Sequence, residues 1–401
     1  MPIARFYRRF FLRTTCVIAV TGSFGKTTTT KALKSVLLRK MPLKHNRNVE
    51  SLVAIDILRT HTRVAYAVFE TGIDRPGRMM KFARMIQPNI VVVTSIGREH
   101  HTSLKSLENT RNEKAEMVRA LPPSGIAVLN ADDPNVIWMK TQTAARVVTY
   151  GFDKDSDIHC KSVNYESVNK MNLCISVHGE IFRLNTHLIG EIMTYPILAT
   201  FAVAWVNGID PNTIKPFLEP LTPVPGRLQP VVLKNRITIL RDDFKAPLET
   251  VEAALDTFEK IPAKRRIAVI GEIEELYGKA DPTYRWLGER VARITDIIIF
   301  IGGKRRLRPF RTGVRNKGFP DDQMMYAANS IRSVAEILKE IMEPDDLVLL
   351  KGSSSIKLSR VIPILEGETV RCELKKCTVK FTECKNCPML ERRWANGRTS
   401  F

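Results

Sequence analysis

VIAVTGSFGKTTTT, residues 17–30, sets two glycines and a lysine between an apolar run and four threonines. If a strand ends at Val20 and a helix opens at Lys26, the loop amides point at phosphate oxygens and the helix N-terminus adds its dipole. Thr21, Gly22, Ser23, Gly25, Lys26, Thr27 and Thr28 are then the candidate nucleotide contacts, with Lys26 on the β and γ phosphates and the Thr27 hydroxyl on Mg²⁺. The strict phosphate-loop pattern asks for glycine at position 20, where this chain has valine, and Gly22 comes two places later. A held phosphate can serve signalling, mechanical work, phosphoryl transfer or bond formation, and the loop alone does not choose among them.

The elements that must position this loop are legible around it. Apolar runs of strand length recur at CVIAV (16–20), VAYAVFE (64–70), NIVVVTSI (89–96) and IAVLN (126–130), each followed by a helix-like stretch. Continuous apolar strands alternating with helices predict an α/β fold, a parallel sheet covered on both faces, over residues 1–223. Residues 156–187 alternate polar and apolar instead, which predicts a small antiparallel sheet beside the main one. PLTPVPGR, 220–227, is the linker candidate. Beyond it strands ITILRD, RIAVIGE, DIIIFIGG and LVLLKGS, with helices near 249–260, 282–294 and 330–342, predict a second, Rossmann-like domain over 224–367. A cysteine-rich tail fills 368–401.

Eight stretches decide what the loop serves: TGSFGKTTT, FETGIDRPG (69–77), TSIGREHHTSLKSLENTRNEKAEM (94–117), LNADDPN (129–135), PVPGRL (223–228), RDDFKAP (241–247), GEIEEL (271–276) and KGSSSIKLSRVI (351–362). In order and spacing the chain resembles the Mur ligase family, most closely the branch that adds D-alanyl-D-alanine to the peptidoglycan precursor. The resemblance implies an ATP-dependent amide ligase with a central ATP-binding domain and a C-terminal ligase domain. A carboxylate takes the γ-phosphoryl group, an amino acid or dipeptide amine captures the acyl phosphate, and ADP and phosphate leave. Acceptor carboxylate and triphosphate repel each other, so cations must bring them together, which suits Lys26, Thr27 and one or two Mg²⁺ ions.

Matched by position, Glu70 and His100 resemble the family's metal-binding acid and histidine. Lys114 stands where many such ligases carry a lysine modified to a carbamate, although on its own it reads equally as a helix-face charge paired with Glu113 or Glu116. Asn130 and Asp133 resemble adenosine-side contacts, and Arg227, Asp243 and Lys245 resemble ribose and phosphate contacts from a second domain that closes over ATP. Without the family, DDP is a turn and RDDFKAP a solvated loop. Lys351, Gly352 and Ser353 follow a strand end where backbone amides could hold a substrate carboxylate.

Three departures bear on the acceptor. The phosphate-loop strand begins near residue 16, which leaves no room for the family's N-terminal nucleotide-sugar domain, so a partner subunit is expected to replace it or the acceptor differs. GEIMTYP (190–196) replaces a helix start that normally carries histidine and asparagines. Phe24 stands where the family has a small or polar residue. The tail adds Cys372, Cys377, Cys384 and Cys387, a spacing that in a cytosolic chain favours a structural four-thiolate Zn²⁺ site over disulfides, with an iron–sulfur cluster as the lesser option. Cys16, Cys160 and Cys174 read as core residues.

Composition sets the bounds. The 401 residues are 44% hydrophobic and 26% charged, ordinary for a cytoplasmic globular protein of two or three domains. No run is apolar and long enough to span a bilayer. The formal charge of +20 suits nucleic acid, a membrane surface or an anionic substrate. The opening ARFYRRFFLR, 4–13, could lie on an anionic membrane or a partner, or pack on the first domain. Alternatives within the ligase reading are a capsule, poly-amino-acid or small-metabolite acceptor. A nucleic-acid-associated ATPase is the alternative of another class, but no aromatic–basic stacking motif supports it, so no nucleic-acid partner is expected.

Overall fold

The computed structural model describes residues 1–39, 49–98, 101–379, 383–387 and 390, and for 101 and 102 the backbone alone. The chain divides into two compact units, the first comprising residues 1–166 and 170–222, the second residues 167–169 and the chain from Pro223 onward.

In chain order the first unit reads α1 (Pro2–Phe11), β1 (Cys16–Thr21), α2 (Lys26–Leu38), α3 (Glu50–Arg59), β2 (Tyr66–Glu70), α4 (Arg78–Ile86), β3 (Ile90–Val93), α5 (His101–Leu104), α6 (Leu107–Arg119), β4 (Ile126–Asn130) and α7 (Pro134–Ile137). It continues with β5 (Arg146–Gly151), β6 (Ile158–Ser167), β7 (Lys170–Val177), β8 (Glu180–Thr186), α8 (Thr194–Val206) and α9 (Pro211–Leu218). One eight-stranded sheet runs β2-β1-β3-β4-β5-β6-β7-β8. The pairs from β2 to β6 are parallel, and β7 pairs β8 antiparallel. Val17, Ile18, Ala19 and Val20 are fully buried, as a strand covered on both faces requires. The polar–apolar alternation of 156–187 does form a hairpin, but it extends the main sheet and makes no separate one. Period-2 patterning reports one wet face and carries no information about which neighbour a strand joins.

The second unit holds β9 (Gln229–Val232), β10 (Thr238–Asp242), α10 (Leu248–Lys260), β11 (Arg266–Ile270), α11 (Ala280–Ala292), β12 (Ile297–Phe300), α12 (Lys304–Arg315), β13 (Met324–Tyr326), α13 (Ile331–Ile341), β14 (Leu347–Lys351) and α14 (Val361–Leu365). Its sheet runs β13-β12-β11-β14-β10-β9, parallel except for the β9–β10 pair. Helix α12, KRRLRPFRTGVR, is strongly basic and contains a proline, and it buries Leu307, Phe310 and Val314 at helical spacing. Glycine makes it fit: a Cβ at Gly313 would lie 1.9 Å from the Arg285 carbonyl oxygen, and one at Gly288 would lie 2.1 Å from that of Phe310. Helices α11 and α12 therefore pack backbone against backbone.

The described tail residues belong to this second unit. Val370, Cys384 and Leu390 bury together against Ile364. Arg360, 2% exposed, donates to the carbonyls of Ile356, Cys372 and Leu374.

Candidate active site

The phosphate loop joins β1 to α2, at the carboxyl end of the sheet where open α/β folds bind ligands. Gly22 and Gly25 hold φ of +140° and +80°, conformations that L side chains resist. A Cβ on Gly22 would come 2.0 Å from Thr94 Oγ1, so the loop lies directly on the segment after β3. Ser23 N donates to Ser95 O (2.6 Å), Phe24 N to Ser95 Oγ (3.0 Å), and Thr94 Oγ1 to Phe24 O (2.5 Å). The amides of Ser23 and Phe24 are thereby committed to the 94–97 segment. The first turn of α2 offers further donors, which helix geometry leaves without intrahelical acceptors.

Three elements bring chemistry to this loop. From α2, the buried Lys26 ammonium donates to the carbonyls of Gly22 and Ser23, both at 2.7 Å. From α6, Lys114, fully buried, donates to Ser23 Oγ at 3.1 Å. From the end of β2, Glu70, 4% exposed, accepts from Thr27 Oγ1 at 3.1 Å. The helix-face reading of Lys114 gives way here: Glu116 pairs with Arg119 (2.6 Å), and Glu113 accepts from Met79 N (3.0 Å) at the start of α4. Ser106 caps α6 by accepting from Asn109 N, which sets the helix phase that turns Lys114 inward.

Thr21 and Thr28 are buried, with the Thr21 hydroxyl 3.9 Å from Met79 Sδ. Phe24 packs its ring on Gly97, where a Cβ would fall 2.3 Å from the ring edge. Asn130 and Asp133 follow β4, and both are engaged within the protein. Asn130 donates to Thr94 O and accepts from Asp132 N, while Asp133 accepts from Ile96 N and from Asn135 N and Val136 N at the start of α7. They brace the 94–97 segment from behind. His100 lies outside the described residues.

In place of the family's histidine and asparagines, 190–196 presents Tyr195, whose hydroxyl donates to Asp132 (2.9 Å) and whose ring meets Phe152 edge-on at 5.4 Å. Burial and the nearby Asp132 carboxylate push the Tyr195 phenol well above its ordinary range.

In the second unit, β10 and β14 lie in register with Asp242 beside Lys351, so the loops after both strands share one sheet edge. Lys351 Nζ, fully buried, donates to Asp242 Oδ2 (2.5 Å), Lys245 O (2.8 Å) and Thr250 Oγ1 (3.1 Å). Burial pushes the Asp242 carboxyl up, against the pull of that ammonium. Asp243, 4% exposed, accepts from Arg241 Nε, and the Arg227 guanidinium stacks 4.8 Å from the Phe244 ring centre. Gly352 donates its amide to Asp242 O (3.4 Å), and Ser353 bonds Ser355 (2.6 Å), so the turn after β14 is occupied with its own contacts.

Two family models match the chain: the Mur ligase middle domain over residues 20–204 and the Mur ligase glutamate ligase domain over 226–354. The chain belongs to the Mur ligase family. It is an ATP-dependent ligase. A UDP-N-acetylmuramoyl-tripeptide--D-alanyl-D-alanine ligase of Mycobacterium tuberculosis is 26% identical over 376 residues, covering 88% of this chain and 73% of the relative. The protein of that name from Synechocystis is 28% identical over 363 residues, 88% and 75% of the two chains. Among solved structures, MurF from Acinetobacter baumannii matches with a TM-score of 0.79 at 21% identity, over 91% of this chain and 79% of that one. MurF of Thermotoga maritima in complex with ADP matches at 0.78 and 22%, over 92% and 82%.

Thr94, Ser95 and Gly97 around the phosphate loop of the first unit, and Arg241 and Asp242 after β10 of the second, are contacts that the motifs leave without a role. They sit inside the TSIG and RDD blocks, where only the contacts between strand ends give them one. The four tail cysteines behave differently. Among the described residues no group of three or more His, Cys, Asp or Glu is assembled that could hold a metal. The Zn²⁺ site expected at Cys372, Cys377, Cys384 and Cys387 therefore gains no support from the geometry. Protein contacts dock the tail instead: Arg360, the Arg241–Glu383 ion pair at 2.9 Å, and Cys377 N to Ser355 O. Burial raises the Cys384 thiol above its ordinary value, with the nearby cations Arg360 and Lys357 pulling the other way.

Proposed function

We propose that this ligase joins the terminal carboxylate of a peptidoglycan-precursor peptide to the amine of a D-amino-acid dipeptide. The relatives' names supply the substrates. The observation that carries the chemistry is the convergence at Ser23, where Lys26 and Lys114 reach the glycine loop from two helices while Glu70 holds the Thr27 hydroxyl. Two cations at a loop beside a helix N-terminus form a site for a polyphosphate and an incoming carboxylate.

Thr27 Oγ1 and Glu70 Oε1 are both hard oxygen donors within 3.1 Å of each other, a pair that fits Mg²⁺. When bound there, the metal neutralises charge on the phosphate oxygens. The protein's part in the first step is to release Lys26 from its own loop carbonyls onto the β and γ phosphates. An acceptor carboxylate oxygen then bonds to the γ phosphorus as the bond to the β-bridging oxygen breaks, and ADP leaves. In the second step the amine nitrogen bonds to the acyl carbon, the carbon–phosphate oxygen bond breaks, phosphate departs and the amine gives up a proton. Lys114, as the free ammonium, sets the Ser23 hydroxyl beside this transfer, whereas the carbamate that the resemblance implies at this position would make it an anionic partner for a second metal. Arg227, Asp243 and Lys245 take ribose and phosphate contacts in the same reading, and Asn130 and Asp133 act by bracing the 94–97 segment.

Mass analysis of products tests the substrate assignment. Full chain, ATP and Mg²⁺ are incubated with a UDP-linked muramoyl tripeptide and a panel of D- and L-amino acids and dipeptides. An adduct with D-alanyl-D-alanine is expected; adducts only with another acid or amine would transfer the activity to that substrate.

A further inference from the structure

Helix α1 is attached to the protein by a face centred on an arginine, and its aromatic face points outward. Ala4, Arg8 and Leu12 are buried, whereas Ile3, Phe6 and Phe10, on the opposite side of the helix at 100° per residue, are 72%, 56% and 44% exposed. The anchor is the Arg8 guanidinium, which donates to the carbonyls of Leu12, Ile86 and Gln87 and to Asn89 Oδ1 at 2.6–3.0 Å. Ile86 and Gln87 are the last turn of α4, so the buried cation also meets the negative end of that helix. Tyr7 adds a bond from its hydroxyl to Thr60 O at 2.9 Å. With the helix fixed this way, the aromatic ridge is held outward by design of the contacts beneath it.

Charge accompanies the ridge. Arg5, Arg9 and Arg13 are exposed, and the guanidinium groups of Arg9 and Arg13 lie 5.7 and 5.3 Å from the centre of the Phe10 ring. Phe6 and Phe10 touch, with ring centres 4.5 Å apart. Before Glu50 the chain carries eleven lysines and arginines and no acid. The adjacent α3 exposes Ile55 and Leu58, and its two acids face other cations: Glu50 pairs with Arg78 at 3.6 Å, and Asp56 lies by Lys34. Helix α4 adds exposed Met80, Lys81 and Arg84 and contains no acid.

We propose that α1 is an interfacial helix that seats the ligase on an anionic phospholipid surface. Ile3, Phe6 and Phe10 enter the boundary between headgroups and acyl chains, and Arg5, Arg9 and Arg13 lie among the lipid phosphates. The charge pattern selects this occupant. A second copy would bring the same arginines against themselves. No helix among the described residues is long and apolar enough to cross a membrane, so the contact is one of lying on the surface.

The test is sedimentation of the full chain with vesicles of phosphatidylcholine alone or mixed with phosphatidylglycerol. Binding to the mixed vesicles is expected, weakening as salt rises. Phe6→Ser/Phe10→Ser and Arg9→Glu/Arg13→Glu should each lower the affinity about tenfold or more while the melting temperature stays at the wild-type value, because all four side chains are exposed. Absence of binding to anionic vesicles, or binding by both variants that matches wild type, overturns the proposal. Equal binding to neutral vesicles removes the role of the arginines. A dimer in light scattering that the Phe6→Ser/Phe10→Ser variant dissociates would assign the ridge to a second copy instead.

Discussion

Ser23 is where the loop, the cation of α6 and the 94–97 segment meet, and Phe24 beside it shows how narrow that meeting is. Phe24 presses on Gly97, a position where a side chain of any size collides with its ring. Gly97→Ala should therefore displace the loop and lower kcat/KM for ATP about tenfold, about 1.4 kcal/mol of lost transition-state stabilisation. Gly97→Ala/Phe24→Ala should recover most of it, and additive losses in that double-mutant cycle would refute the contact as the cause. Lys114→Ala should leave the fold intact yet lower turnover by about two orders of magnitude, in the range of removing one preorganised donor; near wild-type rates would show that the bond to Ser23 is only structural. Lys26 and Thr27 are readable from the chain because glycine, lysine and threonine in that spacing have few other uses. Asn130 and Asp133 are not readable in that way, because whether an amide or a carboxylate is available to a ligand depends on which backbone donors surround it.

Helices and strands that obey a single period are legible, and those that break it are not. The strands at 16–21 and 347–351 are built on continuous apolar runs and that at 238–242 on Ile239 and Leu240, and all three lie where the sequence puts them. Helix α12 keeps Leu307, Phe310 and Val314 at helical spacing among its arginines and Pro309, but its close fit to α11, which depends on a glycine in each helix facing a carbonyl of the other, is not legible from that period. The hairpin β7–β8 is legible as a hairpin but its place in the main sheet is not. Between β10 and β14, the Asp242–Lys351 pair links two loops that motif reading treats separately. Lys351→Met strands a buried carboxylate and should destabilise the protein by about 3–5 kcal/mol at neutral pH. Burial already raises the Asp242 pKa, and loss of the ammonium raises it further. A raised folded pKa gives stability that is present below the unfolded value, about 3.9, and lost as pH rises through the folded one, so the variant's deficit should be smallest in acid and grow toward neutrality. A deficit independent of pH in denaturant melts would mean that packing, not charge, is what Lys351 provides.

Two family domains account for residues 20–204 and 226–354, and α1 and the tail lie outside both. Cysteine spacing suggests a metal site, but spacing records order along the chain, and the described residues are docked by Arg360, by the Arg241–Glu383 pair and by a small apolar cluster. Treatment with a strong zinc chelator tests the thiolate site: a lowered melting transition with release of about one zinc per chain would support it, and an unchanged transition would leave these protein contacts to hold the tail. Helix α1 has its aromatic side turned outward because an arginine takes the inner position. At the level of the molecule the account stands or falls on coupling between nucleotide and bond formation. The measurement is ADP release from the full chain with ATP and Mg²⁺, with acceptor acid and amine each omitted in turn and nucleic acid added in a separate arm. The account predicts turnover only when acid and amine are both present, and none in Lys26→Ala. Turnover driven by DNA or RNA without them, or undiminished in Lys26→Ala, would contradict it.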